Sequence, residues 1–201
     1  MRTCLLLIAV LALAGGVASY AIPVAASGTQ SWDDGIVRWY DASDVGRTVD
    51  TAAQRWNSSG ARVRLVEVVA REDADVVIEV DDGALRQACG ADCLGYTTSI
   101  GRPSEEGPVR VLLGAELTGD PRPLSVWVAA HEFGHVLGLH HRDGRACSLM
   151  SEHAFDTNCA PSLAAEPPTR DQLACVPAPA DVEEAARLYG GALTRRDARC
   201  R

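Results

Sequence analysis

Four of the five histidines in this 201-residue chain fall within eleven consecutive residues, 131–141, which read HEFGHVLGLHH. On a helix, side chains four residues apart lie on the same face, so His131 and His135 can bind one ion together. Imidazole nitrogen is a preferred ligand of zinc, and a catalytic zinc takes three protein ligands and keeps a fourth position open. The spacing therefore predicts a zinc site whose first two ligands lie on consecutive turns of one helix.

A third ligand requires the helix to end. In a continuous helix of about 3.6 residues per turn, His141 would lie well off the face shared by His131 and His135. Gly138 favours a break, because glycine adopts the left-handed conformation that ends helices without a steric penalty. We therefore predict that the chain turns back after Gly138 and presents His141 to the metal. His140 would then point away, and we assign it no metal role.

Glu132 follows the first predicted ligand directly and is the candidate general base. Zinc lowers the pKa of a water molecule that it binds, and a carboxylate within hydrogen-bond reach can accept the proton. The metal also polarises a carbonyl group, and Glu132 can pass the proton on to a leaving amine. The motif therefore predicts hydrolysis of peptide bonds, with proteins or peptides as substrates.

The motif is compatible with three other interpretations. A closed structural zinc site would need a fourth ligand such as Cys147. A downstream carboxylate such as Glu166 could replace His141 as third ligand. The chain could also be an exported zinc-binding protein without turnover. The glycine at position 138 and the glutamate at position 132 favour the peptidase, because none of the three alternatives requires both.

The amino-acid composition limits the classes of protein to which the chain can belong. With 47% hydrophobic and 23% charged residues, the chain has the make-up of a folded globular protein, and its length fits one domain. The formal net charge is −8, and no basic stripe is present. Because nothing is placed to neutralise phosphates, we expect no nucleic-acid partner. We expect a monomer.

The N-terminus has the pattern of an export signal. Arg2 precedes an unbroken apolar run at 5–14, and small residues follow. This pattern predicts a signal peptide over 1–21, with cleavage somewhere between 19 and 26, and a protein that is secreted and has no membrane contact after cleavage. An uncleaved membrane anchor is the alternative. Residues 22–34 would form a short N-terminal stretch, and 35–201 the catalytic domain.

Export changes the interpretation of the cysteines. Of seven cysteines, Cys4 would leave with the signal peptide, and an even number remains. In an oxidising compartment such a set predicts disulfides, although the connectivity is not determined by spacing. Thiolate ligation of a metal by Cys89 and Cys93 is the alternative. Pairing nearest neighbours in sequence predicts Cys89–Cys93, Cys147–Cys159 and Cys175–Cys200.

Hydrophobic periodicity predicts strands and helices in mixed order. Strands are predicted over 35–40, 61–69, 74–80, 94–100 and 109–114, the fourth as a short edge strand. Helices are predicted from 45 to about 57, over 124–139 and over 180–189. The segment between 84 and 107 is otherwise irregular, and the part after the long helix is rich in proline. The order indicates one mixed α/β domain with a loop-rich C-terminal subdomain.

Residues around the histidine motif resemble the metzincin peptidases. The residues Val-Ala-Ala at 128–130 precede the motif as in the active-site helix of the matrixin type, and Ser-Leu-Met at 148–150 resembles the methionine turn of metzincins. The last predicted helix ends in Leu-Tyr-Gly, as in matrixins. The segments 54–59 and 147–151, together with Cys159, are similar to the small bacterial snapalysin-type peptidases. Those peptidases carry aspartate as third ligand, where this chain has His141.

The resemblance implies an α/β (α+β mixed) fold with a twisted, mostly parallel sheet and an active-site helix. It implies an antiparallel edge strand along the cleft and endopeptidase action on extended chains. Met150 would form a hydrophobic floor below the metal, and the Cys147–Cys159 bond gains support. We expect one catalytic zinc, because the chain has no second histidine cluster. A structural calcium ion has no support in the sequence. Ser151-Glu152 departs from the family pattern after the methionine, so the pocket preference is not determined.

Overall fold

The computed structural model describes residues 31–103, 107–119, 123–142, 148–151 and 175–194. The predicted signal peptide at 1–21 and the greater part of the predicted C-terminal subdomain lie outside these residues, as do Cys147, Cys159, Glu166 and Cys200. The division of the chain into a signal, a short stretch and a catalytic domain therefore stays a prediction.

Five strands form one mostly parallel sheet, as predicted. They are β1 (Ile36–Asp41), β2 (Arg64–Glu67), β3 (Val76–Val80), β4 (Gly95–Thr97) and β5 (Val109–Leu113). Their order across the sheet is β2-β1-β3-β5-β4. All neighbours pair in parallel except β4, which runs antiparallel to β5 and forms one edge of the sheet. The predicted antiparallel edge strand is thereby confirmed.

The alternation of apolar and polar residues along the strands decides which face of the sheet is covered. In β1, Val37 and Trp39 are buried, whereas the intervening Arg38 is exposed. In β2, Leu65 is buried between exposed neighbours. Because successive side chains of a strand point to opposite faces, the buried set lies on one face, against the helices. The main hydrophobic core lies between this face and the helices over 47–57, 123–136 and 179–189.

In the described residues, four α-helices accompany the sheet: α1 (Arg47–Asn57), α2 (Asp82–Cys89), α3 (Pro123–Val136) and α4 (Pro179–Tyr189). The buried side of α1 includes Val49 and Trp56, at the helical spacing that the sequence predicts. The indole Nε1 of Trp56 donates a hydrogen bond of 2.8 Å to the carbonyl of Ala130 in α3. Most residues of α3 are buried, so this helix lies in the middle of the core and carries the histidine motif.

The structure corrects several predicted boundaries. The sequence pattern does not predict α2, because Leu85 is its one buried residue and its other side chains give no apolar periodicity. Asp81, which accepts a hydrogen bond from the backbone N–H of Ala84, is the start signal that could have revealed it. Helix α3 ends at Val136 rather than at 139, and β2 and β4 are shorter than predicted.

Of the three predicted disulfides, Cys89–Cys93 is confirmed. It links the end of α2 to the segment that enters β4. Cys175 is also disulfide-bonded, but its predicted partner Cys200 lies outside the described residues, as does the Cys147–Cys159 pair. Among the described residues, no helix has both the length and the apolar character needed to cross a bilayer.

Candidate metal centre and active site

Three imidazole rings converge at the C-terminal end of α3. His131 and His135 lie one turn apart on the helix, and His141 approaches them from the segment that follows it. The Nε2 atom of His141 lies 3.2 Å from that of His131 and 3.0 Å from that of His135. Within the part of the chain that the structure describes, these three residues form the group that could hold a metal ion. His140 is exposed and does not belong to this group.

Backbone carbonyls set the tautomer of the two helical histidines. The Nδ1 of His131 lies 2.7 Å from the carbonyl oxygen of Leu149, and the Nδ1 of His135 lies 2.8 Å from that of Leu139. A carbonyl oxygen can only accept, so each Nδ1 carries the hydrogen and donates it. In the neutral ring the Nε2 atom then has a free lone pair. The Nε2 lone pairs of His131 and His135 are thereby directed toward the Nε2 atom of His141.

The break after α3 serves both histidines. Gly138 has φ of 90°, a conformation that a residue with a side chain rarely adopts. Its N–H donates to the carbonyl of His135 at 2.8 Å, and the N–H of Leu139 donates to the carbonyl of Gly134 at 2.9 Å. The turn thus closes the helix and returns the chain toward the first two histidines. It also places the Leu139 carbonyl against the ring of His135.

Burial keeps the two helical histidines neutral. It lowers the pKa of His131 to about 4 and that of His135 to about 3, because a charged ring would lose its hydration there. The neighbouring histidines lower both values further, whereas the carbonyl hydrogen bonds oppose the change. A neutral imidazole is the form that binds a metal ion. Trp127 stacks on the ring of His131 at a centroid distance of 5.4 Å.

The geometry of the three nitrogens fits zinc. Two nitrogens bound at about 2.1 Å in tetrahedral geometry lie roughly 3.4 Å apart. The separations of 3.0 and 3.2 Å are close to that value. The Nε2 atoms of His131 and His135 carry no hydrogen in this tautomer, so they cannot hydrogen-bond to each other. The donor set therefore suits one zinc ion, with three protein ligands.

Glu132 lies under the edge strand. Its side chain is buried, and its Oε2 accepts a hydrogen bond of 2.7 Å from the hydroxyl of Thr97 in β4. Burial raises the pKa of Glu132 to about 7, and the bond from Thr97 opposes this rise. A carboxyl group with a pKa near neutrality can exchange a proton in either direction, which general acid–base catalysis requires.

Met150 lies fully buried against the histidine helix. A Cβ atom added to Gly134 would overlap the sulfur of Met150, so this position of α3 needs a glycine for the methionine to approach. The turn that carries Met150 is held by Asp181 of α4, which accepts hydrogen bonds from the Ser148 hydroxyl at 2.5 Å and the Leu149 N–H at 2.8 Å. The methionine thus packs against the helix that carries His131 and His135.

The sequence patterns do not mark three residues of this site: Thr97, Gly134 and Asp181. Asp181 follows Pro179 in the first turn of a helix, a position at which an acidic residue usually caps its own helix. Asp181 caps its helix by accepting a hydrogen bond from the N–H of Ala178. It also accepts the two bonds from the methionine turn. Nothing in the sequence signals those contacts or the bond from Thr97 to Glu132, because they join residues more than thirty positions apart.

No protein family matches the sequence, and no curated protein matches it. Among solved structures, one of myroilysin is 20% identical over 55% of this chain and 52% of that chain, with a TM-score of 0.39. A second structure of myroilysin is 19% identical over 84% of this chain and 68% of that chain, with a TM-score of 0.42. High choriolytic enzyme 1, a hatching-enzyme zinc protease of the medaka fish Oryzias latipes, is 16% identical over 56% and 49%, with a TM-score of 0.38.

The chain thus spans about half the length of the first myroilysin structure and of the hatching enzyme. At these TM-scores the similarities are too distant to assign a family or a function.

Proposed function

We propose that this chain is a zinc-dependent endopeptidase, with zinc held by His131, His135 and His141 and with Glu132 as its general base. One observation carries the proposal. The Nε2 atoms of His131 and His135 both lie within 3.2 Å of the Nε2 of His141, and backbone carbonyls hold the first two rings in the metal-binding tautomer. A glutamate with a pKa near neutrality follows the first of these histidines in sequence.

The protein groups have separate tasks in this reaction. When bound, zinc supplies Lewis acidity, which polarises a peptide carbonyl and lowers the pKa of water. The Glu132 carboxylate accepts the proton of the attacking water and delivers it to the leaving amine. Leu149 and Leu139 keep the two helical rings oriented through their carbonyl oxygens. Such partners of metal-binding histidines typically contribute about 10- to 100-fold to metal affinity.

The edge strand supports action on extended peptides. One side of β4 pairs with β5, and β4 is the last strand of the sheet in the described part of the chain. Its other side can pair with an added peptide strand, a recurrent mode of peptide recognition. Because β4 also contacts Glu132 through Thr97, a peptide bound along it would pass close to the base. This arrangement favours cleavage within a chain rather than at its ends.

One observation favours a second function, zinc binding without turnover. The Glu132 side chain is almost completely shielded, with 3% exposure, and a general base must reach its water. Both candidates bind zinc, so metal content does not separate them.

Activity of the purified protein on casein and on fluorogenic peptides decides between the two functions. We expect hydrolysis that a chelator abolishes and that added zinc restores. The variant Glu132→Ala should keep its zinc and lose activity by about 10²- to 10⁴-fold, because only proton transfer is removed. One bound zinc with no hydrolysis of any peptide would establish the binding protein instead.

We further propose that the protein is a secreted, monomeric bacterial peptidase of the metzincin type, related to the matrixins or snapalysins. The motif residues and the apolar N-terminus support this proposal. Expression of the full chain in a bacterial host, followed by N-terminal sequencing of the protein in the medium, tests the export signal. We expect a new N-terminus between residues 19 and 26, and retention of residues 1–26 in a membrane fraction would contradict it.

A further inference from the structure

Strand β4 covers the carboxylate of Glu132 from outside the histidine helix. In the ladder with β5, Gly95 lies opposite Leu113 and Thr97 lies opposite Val111. Residues two apart in a strand point to the same face. Gly95 and Thr97 therefore both face α3, and the intervening Tyr96 faces the other way. Glu132 lies on the side of α3 that meets this strand.

Each oxygen of the Glu132 carboxylate has a different neighbour in β4. The hydroxyl of Thr97 donates to Oε2 at 2.7 Å, and it lies 3.4 Å from the backbone carbonyl of Glu132. A Cβ atom added to Gly95 would lie 2.6 Å from Oε1, which is closer than such atoms approach in folded proteins. Strand β4 thus gives Oε2 a hydrogen-bond donor, whereas Oε1 lies against a glycine that has no side chain.

The Thr97 hydroxyl restricts Glu132 to one arrangement. The bond is charge-assisted when the carboxylate is ionised, and such bonds are about twice as strong as neutral ones. Threonine is suited to this contact, because its branched side chain has few accessible rotamers and 8% of its surface is exposed. A long side chain without this bond could rotate about three torsions. Because the bond fixes the Glu132 side chain, the carboxylate does not have to be ordered before it can transfer a proton.

We propose that Thr97 is a positioning residue for the general base: its hydroxyl holds Oε2 of Glu132 and leaves Oε1, beside Gly95, as the oxygen that exchanges the proton. The inference rests on the proposed peptidase function and deepens it. It also gives Gly95 a role, since a side chain at that position would push Oε1 out of place.

Three variants test the role of the hydroxyl. Thr97→Val keeps the branched shape and removes the donor, Thr97→Ser keeps the donor, and Thr98→Val removes the hydroxyl of the adjacent exposed residue. We expect Thr97→Val to lower kcat about 10- to 100-fold, because a displaced catalytic group costs up to about 10²-fold. Its KM should change by less than about threefold, and it should bind one zinc. Thr97→Ser should recover most of kcat, and Thr98→Val should match the wild type.

Crystal structures of the zinc-loaded wild type and Thr97→Val give a measure that does not depend on activity. The wild type should keep the bond of 2.7 Å, and Glu132 should leave that position in the variant. An unchanged Glu132 in Thr97→Val would overturn the proposal, as would a kcat within twofold of the wild type. Equal losses in the valine and serine variants would also overturn it, since they would reflect packing alone.

Failure of the peptidase function gives a different result. In that case the wild type would bind zinc and hydrolyse no peptide, and the crystal structures would still decide whether Thr97 positions Glu132. Should Thr97→Val fold poorly, Gly95→Ala provides a second route to the same question. It should displace Oε1, retain zinc and lower kcat, and normal kcat in Gly95→Ala would contradict the assignment of that oxygen.

Discussion

Replacement of Asp181 by alanine should weaken both the fold and the zinc site, although Asp181 lies on another helix. Its side chain is fully buried. Three groups donate to it: the hydroxyl of Ser148, the N–H of Leu149 and, at 3.0 Å, the N–H of Ala178. The carbonyl of Leu149 in turn accepts from the ring of His131. One carboxylate thus connects α4, the methionine turn and the ring of His131.

The expected loss of stability follows from the bonds that would be broken. The N–H of Leu149 would remain buried without an acceptor, which costs about 1–3 kcal/mol. The N–H of Ala178 is half-buried and can recruit water, so its loss costs less. Burial raises the pKa of Asp181, so its charge itself is costly in the folded state and its removal offsets part of the loss. We expect a net destabilisation of about 2–4 kcal/mol.

Asp181→Asn should lose less, because the amide retains one oxygen for the Leu149 and Ala178 N–H groups and can donate to Ser148. Asp81→Ala is the matched control. It removes a bond of 2.9 Å from a carboxylate to the N–H of Ala84, at the exposed start of α2 and away from the histidines. Loss of such a cap costs about 1 kcal/mol, and zinc affinity should not change.

Urea denaturation of the zinc-free proteins measures the stabilities, and competition with a chelator measures zinc affinity. We expect Asp181→Ala to bind zinc about 10-fold more weakly, at the lower end of the range for partners of metal-binding histidines, because it acts one bond further away. If Asp181→Ala loses no more stability than Asp81→Ala and binds zinc as the wild type does, the carboxylate does not support the site and the reasoning is wrong.

Three further predictions concern the site. His141→Ala should lose most of its zinc by metal analysis, whereas His140→Ala, whose ring lies outside the metal-binding group, should keep it; equal retention in both would remove His141 from the ligand set. Gly134→Ala should gain up to about 1 kcal/mol of stability from helix propensity. It should lose about 1–3 kcal/mol of stability because the new methyl group overlaps the buried Met150 sulfur. Urea denaturation should therefore show a net loss of stability, and a stabilised variant would contradict the packing of Met150 on Gly134. In the zinc-free protein, burial raises the pKa of Glu132 from 4.5 to about 7. Between pH 4.5 and about pH 7 the folded state therefore binds a proton that the unfolded state releases. The free energy of unfolding consequently falls as pH rises through this range. The contribution reaches roughly 3 kcal/mol; Glu132→Gln should lack it, and an equal difference from the wild type at pH 4 and pH 8 would refute the assigned pKa.

The sequence predicts those parts of the fold that depend on local patterns. The β-rich run around Val37 and the alternation around Leu65 predict two strands. The helical spacing of Val49 and Trp56 predicts α1. The prediction fails at α2, where a single buried leucine gives no periodicity. It also overextends α3, because Leu137 and Leu139 continue the apolar pattern past the residue at which the backbone leaves the helix.

The same distinction holds within the site. The spacing of His131, His135 and Gly138 is local, so it predicts two side chains on one face and the turn that brings His141 back. The support of these residues is not local. The carbonyls of Leu139 and Leu149 have no sequence signature, since every residue has a carbonyl oxygen and only the fold determines which one meets an imidazole.

The edge strand and the methionine turn therefore hold the helix motif from two sides. The Leu149 carbonyl orients His131 from the turn, and the Thr97 hydroxyl orients the adjacent Glu132 from β4. Successive residues of a helix point in directions about 100° apart, so a single neighbouring segment could not easily contact both side chains. A ligand and a base that are adjacent in sequence need separate supports. For that reason we expect Thr97 substitutions to affect kcat with zinc retained, and Asp181 substitutions to affect zinc affinity as well.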